Sequence, residues 1–149
     1  MQQLNFPKYN FRLKKSTEDL TLIFDETRKK WLQLTPEEWV RQHWIQFLTE
    51  QTNVPKSLIA TEVGIKVNTK NKRSDILVYR ENKVILIVEC KRSTVPINQK
   101  TLDQILIYNK KYFAKYLVLS NGISHKFFMV DYHEKKIEEI NELPTYNNL

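Results

Sequence analysis

The chain has 149 residues, 41% of them hydrophobic, enough for one ordinary domain with one core. Lys and Arg number 24 against 17 Asp and Glu, and the resulting net charge of +7 favours an anionic partner. No stretch reaches the roughly 18 uninterrupted apolar residues of a membrane span, MQQLNFPKYNFRLKK lacks the apolar core of a secretory signal, Cys90 as the sole cysteine excludes an intrachain disulfide, and no Cys/His set at metal-ligand spacing points to structural zinc; the expected location is the cytoplasm.

In chain order, YNFRLKK and LTLIFDE are two β-like runs separated by the polar STED, which reads as a small N-terminal hairpin. LTPEEWVRQHWIQFLTEQ follows as the clearest helix. Thr35 suits the N-cap, Pro36 the first helical position, and Glu38 completes a capping box three residues on. Val40, Trp44, Phe47 and Leu48 recur at helical spacing and predict a face packed on a sheet, with the helix ending before Pro55.

SLIATEVGIKV then predicts a strand, KVNTKNKR a polar connection, SDILVYR a second strand and KVILIVECK a third. Val84 to Val88 are apolar at every position, so this strand should be central and covered on both faces, as in a layered α/β domain. INQKTLDQILIYNKKYF predicts a second helix, KYLVLSNG and KFFMVDY two further strands, and KKIEEINEL a short terminal helix. We read a single domain over 1–149, with an N-terminal extension over 1–34, a core over 35–132 and a tail over 133–149.

The apolar run ends in Glu89-Cys90-Lys91, and charges at the end of a buried strand cost free energy unless something compensates. Glu89 and Lys91 lie two apart and share a strand face, with Ile85 and Ile87 on the same side and Cys90 facing the core. Asp75 stands at the other chain end of the preceding strand, so an antiparallel hairpin brings it beside Glu89. Sharing a face then requires an odd turn, for which Glu81-Asn82-Lys83 with a left-handed Asn82 is suited. Two carboxylates are what Mg²⁺ or Mn²⁺ takes from a protein, with water and phosphate completing the shell. A neighbouring lysine can orient a water or neutralise charge on the phosphate.

Asp75, thirteen intervening residues and Glu89-x-Lys91 resemble the PD-(D/E)xK motif of the restriction-endonuclease-like nucleases. LTPEEWVRQHWIQFL, KRSDILVY, LIVECK, LDQILIYNKKY and YLVLSNG resemble, in order, the N-terminal nuclease domain of type I restriction enzyme R subunits, over about residues 20–122. The resemblance implies a three-layer α/β/α core around a central mixed sheet, with the N-terminal hairpin as an extension, and Mg²⁺-dependent hydrolysis of DNA phosphodiester bonds. It also implies a catalytically idle nucleic-acid-binding domain as the alternative. It makes Asp75, Glu89 and the Cys90 carbonyl metal ligands and Lys91 the catalytic lysine. It adds an acid from the first helix, Glu38 or Glu37, of which Glu38 is preferred. Gln104 and Tyr108 match the Gln-x-x-x-Tyr motif of the RecB-like branch. Two departures stand out. Arg73 and Ser74 replace the motif's proline region, and no GxxxxGK[ST] is present, so ATP-driven translocation is not implied. A free-standing enzyme, a subunit of a split restriction-modification system, a homodimer and a fragment all remain open.

Lys70, Lys72 and Arg73, in a stretch with four cations in eight residues, are candidate phosphate contacts just before Asp75. His43, His125 and His133 are expected to be structural or exposed, and Trp31, Trp39 and Trp44 to be core rather than a base-stacking platform.

Overall fold

The computed structural model describes residues 1–67 and 70–149; the side chains of residues 62–74 lie outside the described residues, and with them the candidate contacts Lys70, Lys72 and Arg73. An N-terminal antiparallel sheet is formed by β1 (Leu13–Lys15), β2 (Thr21–Asp25) and β3 (Lys30–Gln33). The expected hairpin is therefore a three-stranded meander. Lys29 takes a positive φ of 55° in the turn that launches β3, a conformation that no Gly or Asn announces in the sequence.

Helix α1 (Pro36–Glu50) starts as its sequence dictates: Thr35 is extended, and its hydroxyl accepts the Glu38 N–H at 3.0 Å. The reciprocal half of the capping box is not made, because the Glu38 carboxylate turns to Arg28, Arg41 and Gln42 instead. A second sheet has the order β4 (Ile59–Val67), β5 (Lys70–Arg80), β6 (Lys83–Cys90), β7 (Tyr116–Ser120), β8 (His125–Asp131) and β9 (Lys136–Ile140). Only β6 and β7 are parallel, joined by the crossover helix α2 (Gln99–Tyr112); every other pair is antiparallel.

Side-chain alternation sends the sheet's two faces to different helices. Ile76, Val78, Leu86, Val88, Cys90 and Val118 pack with Val40, Trp44, Ile45 and Leu48 of α1. Leu77, Ile87, Leu117 and Leu119 pack with Ile105 of α2. The sheet thus lies between two helical layers, which is why Val84 to Val88 can be apolar throughout. Trp44 and Val40 belong to this core, and Phe47 and Trp39 pack at its margin, whereas Trp31 joins neither cluster.

Three expectations fail here. KKIEEINEL was expected to be helical, yet Lys136–Ile140 is the edge strand β9, with Ile137 opposite Val130 and Ile140 opposite Phe127. Pairing with β8 overrides a composition that favours helix, and the Lys and Glu side chains remain exposed as an edge strand requires. Beyond it, Leu143, Tyr146 and Leu149 of the expected tail pack against the α1-side core. The β5–β6 turn has two residues, not three: Glu81 and Asn82 both have positive φ, 51° and 65°, between Arg80 and Lys83. The odd residue comes instead from a bulge beside Val78 and Tyr79, where the register shifts from Val78 opposite Leu86 to Tyr79 opposite Val84. Ile85 is the extra residue. It packs toward α1, away from the Ile87 and Glu89 face on which it was expected.

Gly122 closes the loop after β7 with φ +86°, and a Cβ there would lie 2.9 Å from both a Leu4 methyl and a Val40 methyl. Backbone strain and overpacking act together, so Gly122→Ala should lower unfolding free energy by about 1–3 kcal/mol, read from the midpoint of urea denaturation at unchanged slope.

Candidate functional site

The last pair read on the β5–β6 ladder below the site is Ile76 opposite Val88, so Asp75 and Glu89 come next, one on each strand. Both are buried, at 8% and 7% exposure. Their environments differ. Asp75 is fully engaged: its Oδ1 accepts from Arg41 Nη2 at 2.7 Å and its Oδ2 from the Cys90 N–H at 2.7 Å. Among the described residues Glu89 accepts only from Lys91, whose Nζ lies 3.2 Å from Oε1, while Oε2 is buried without a hydrogen-bond partner.

That difference appears in the acidity of the groups. Burial, then the nearby Asp75 charge, pushes Glu89 up to about 7, and the Lys91 ammonium offsets only part of this. Lys91 moves upward as well: burial opposes its charge, but the Glu89 carboxylate more than compensates, so the ammonium form is favoured. The Cys90 thiol, packed among core side chains on the other face, is raised by burial and by Asp75 and is an inert core group. Cys90 enters the site only through its backbone.

The first-helix acids separate cleanly. Glu38 is buried and tied into an ion network, with Oε2 at 2.9 Å from Arg41 Nη1 and Oε1 at 3.4 Å from Arg28 Nη2. Gln42 Nε2 bridges Glu38 Oε2 at 3.3 Å and Asp25 Oδ2 at 3.1 Å. Asp25, fully buried at the end of β2, also receives Arg28 at 2.7 Å. Burial alone would raise its pKa, but hydrogen bonds from Thr27 and Arg28 bring it below the usual value. Glu37 is the half-exposed acid. Its carboxyl is raised by partial burial and by the Asp75 charge, it lies 3.4 Å from Arg41 Nη2, and it lines an open cleft of about 440 Å³ with Lys91, Arg92, Lys100, Thr101 and Gln104. The preference for Glu38 followed helical phase, which cannot distinguish the acid facing the N-terminal meander from the acid facing the cleft.

On α2, Gln104 reaches this cleft, whereas Tyr108, one turn later, is 4% exposed. The histidines serve packing or lie at the surface. The ring of His43 is hydrogen-bonded through Nδ1 to the Trp39 carbonyl at 2.8 Å, His125 lies between Ser120 and the Asn5 carbonyl, and His133 is exposed. The residue that sequence reading missed is Arg41. A cation on the buried side of α1, three and four residues after two acids, was the available signal. Among the described residues, no three His, Cys, Asp or Glu side chains are grouped to hold a metal ion unaided.

Residues 36–144 match the family described as the type I restriction enzyme R protein N terminus (HSDR_N). The chain belongs to this family. Its fold is also that of a fragment assigned to the HsdR subunit of a type I restriction enzyme from Vibrio vulnificus YJ016, at 20% identity and a TM-score of 0.54. That alignment covers 75% of this chain and 24% of the HsdR fragment, so the chain spans about a quarter of that relative. The type IIG restriction endonuclease BpuSI is more distantly similar, with 20% identity, a TM-score of 0.45, and coverage of 64% of this chain and 11% of that one. A protein assigned as a DUF820 nuclease from Anabaena variabilis ATCC 29413 stands at 11% identity and a TM-score of 0.45, covering 87% of this chain and 80% of its own. No curated protein matches the chain. Among the described residues of this R-protein domain, no helix is long and apolar enough to cross a membrane.

The two carboxylates should respond oppositely to removal. Glu89 has a folded pKa raised from 4.5 to about 7, so its contribution to stability is full below pH 4.5 and is lost as pH rises through about 7. In EDTA, Glu89→Gln should therefore raise the melting temperature at pH 8 and leave it nearly unchanged at pH 5. Asp75→Ala should lower stability at both pH values, by about 3 kcal/mol, because it strips a buried guanidinium of its shortest ion pair. Thermal melts of both variants at the two pH values check the signs.

Proposed function

We propose that the chain is a divalent-metal-dependent deoxyribonuclease domain of the restriction type, hydrolysing DNA phosphodiester bonds at Asp75, Glu89 and Lys91, beside the cleft that Lys91 and Glu37 line. The observation that carries this reading is the Glu89 Oε2 atom, a buried carboxylate oxygen without a partner among the described residues, beside a second buried carboxylate. Such an orphan costs about 1–3 kcal/mol or more unless a ligand satisfies it. The donor set fits a hard cation: Glu89 Oε2 is open, and each Asp75 oxygen keeps a second lone pair beside the one given to Arg41 or to Cys90 N–H. Asp75, Glu89 and the Cys90 carbonyl would hold Mg²⁺ or Mn²⁺, with Glu37 rather than Glu38 as the first-helix acid, because Glu37 alone faces the cleft. A bound divalent ion would neutralise charge on a phosphate oxygen and acidify a water.

The chain's own side chains supply the rest. Lys91, held protonated by Glu89, acts as a positioned cation and hydrogen-bond donor toward the phosphate or the attacking water rather than as a base. Arg41 fixes the Asp75 rotamer, and Gln104, on the cleft wall, positions substrate. Tyr108, buried behind it, contributes packing. Further subunits of a restriction-modification system or a second copy of the chain would supply sequence recognition, and the setting would be the cytoplasm. A second reading, a DNA-binding domain without catalysis, is favoured by one observation: Arg41 already supplies Asp75 with a cation.

Supercoiled DNA incubated with the protein should be nicked in Mg²⁺ or Mn²⁺, spared in EDTA, and bound with little cleavage in Ca²⁺. Asp75→Ala should abolish nicking, and Lys91→Ala should slow it by about 10²–10⁴. DNA binding without cleavage in any divalent metal would leave the binding-module reading in its place.

Glu37→Gln and Glu38→Gln should divide function from stability. The first should weaken metal binding, measured by calorimetry, at an unchanged melting temperature. The second should lower the melting temperature, since it removes the charge facing Arg28 and Arg41.

A further inference from the structure

The N-terminal meander has a buried face and an outward one. Ile23 and Asp25 of β2 are fully buried, so the alternate residues Leu22 and Phe24 face outward. Phe24 pairs across the strands with Trp31, their rings 5.3 Å apart in an edge-to-face arrangement. Two cations lie over this pair: the Arg12 guanidinium is 4.3 Å from the Phe24 ring centre and 5.5 Å from that of Trp31, and the Lys14 ammonium is 4.2 Å from the Trp31 ring. Among the described residues neither cation has a carboxylate partner; the rings are what hold them. Both side chains belong to exposed residues.

Exposed ion pairs elsewhere on this meander show what ordinary surface charge looks like here, as with Lys29 and Glu26 at 3.9 Å. Arg12 and Lys14 differ in lying over aromatic rings rather than beside a carboxylate among the described residues. The first fifteen residues carry Lys8, Arg12, Lys14 and Lys15 and no acidic residue; the first acids, Glu18 and Asp19, lie in the turn after β1. Cations already ordered on aromatic rings give up little side-chain entropy when they meet an anion. An array of phosphates matches that charge, and a protein of net charge +7 carries it toward such a partner.

We infer that the outward face of β1–β3, built from Arg12, Lys14, Phe24 and Trp31, is a contact surface for the phosphate backbone of nucleic acid, separate from the Asp75 and Glu89 cleft. It extends the reading of DNA as the substrate and is independent of hydrolysis. The meander is rigidly coupled to that cleft, because Asp25 at the end of β2 binds Gln42 and Arg28, and Arg28 reaches Glu38, which pairs with the same Arg41 that holds Asp75. A duplex anchored on this face is thereby presented to the cleft in a fixed relation.

The test measures binding of a fluorescent duplex by anisotropy in EDTA, across a series of salt concentrations, so that catalysis plays no part. Arg12→Gln with Lys14→Gln should reduce the slope of log affinity against log salt by about 2, at an unchanged melting temperature. Lys110→Gln with Lys111→Gln removes the same charge from the end of α2 and should leave the slope within about 0.5 of the parent. Trp31→Leu, which removes no charge, should weaken binding about 2–5-fold in low salt by releasing Lys14. An unchanged slope in the Arg12 and Lys14 variant overturns the proposal. So does an equal loss in the Lys110 and Lys111 variant, which would reduce the effect to net charge, or a loss confined to binding of a polyglutamate probe, which would make the face a dock for an acidic protein. Loss of nicking by the parent would leave this result standing, since the readout is binding alone.

Discussion

Everything in the site depends on one buried guanidinium. Arg41 is 5% exposed and meets Asp75 at 2.7 Å, Glu38 at 2.9 Å and Glu37 at 3.4 Å. Burial by itself would weaken its charge, but the surrounding carboxylates drive its pKa up instead, so it is a permanent cation. Its geometry explains why arginine and not lysine occupies the position. Two separate nitrogens reach two acids on different elements, Nη1 to α1 and Nη2 to β5, and a single ammonium could not span both in a fixed orientation. Through Glu38, Gln42 and Arg28 the same network ends on the fully buried Asp25, so the meander, the first helix and the hairpin share one electrostatic frame.

The second constraint is parity. Asp75 and Glu89 face each other only if the chain between them contributes an odd offset, and the type of turn at Glu81-Asn82 does not provide one. The bulge that expels Ile85 toward α1 restores it. A bulge in a central hairpin forfeits regular ladder hydrogen bonding and adds twist, and here it lies between the two apolar layers. Register and the placement of the two carboxylates are thus linked: a slip of one residue on β6 would put Glu89 on the α1 side with Val88 and Cys90, away from Asp75.

Sequence made the core legible where one residue type has one role. The apolar run of β6, the α1 stripe and the cap at Thr35 each followed from period and local chemistry, and the Asp75, Glu89 and Lys91 set followed from alternation along strands. What escaped was decided by partners distant in sequence. Helical phase allowed both Glu37 and Glu38, and the placement of Arg28, ten residues before Glu38, is what ties the latter into an ion network with the meander. Lys136–Ile140 reads as helix in isolation and becomes strand because β8 offers an unpaired edge. Trp31 reads as core by composition, yet alternation on β3 places it outward with Phe24, a consequence of a strand whose opening turn at Lys29 has no sequence mark.

The contrast between the two carboxylates carries the site's chemistry. Asp75 is satisfied by Arg41 and a backbone N–H, whereas Glu89 holds a buried oxygen without a hydrogen-bond partner among the described residues. A protein selected for stability alone would close that gap, since a neutral amide or an apolar side chain there would remove a desolvation cost. Lys91 does not close it. It takes Glu89 Oε1 and leaves Oε2, while its own side chain stays a quarter exposed at the cleft. The cost, localised on one atom beside an ion network, is relieved by a proton as pH falls through about 7 or, on the function proposed above, by a cation at Oε2.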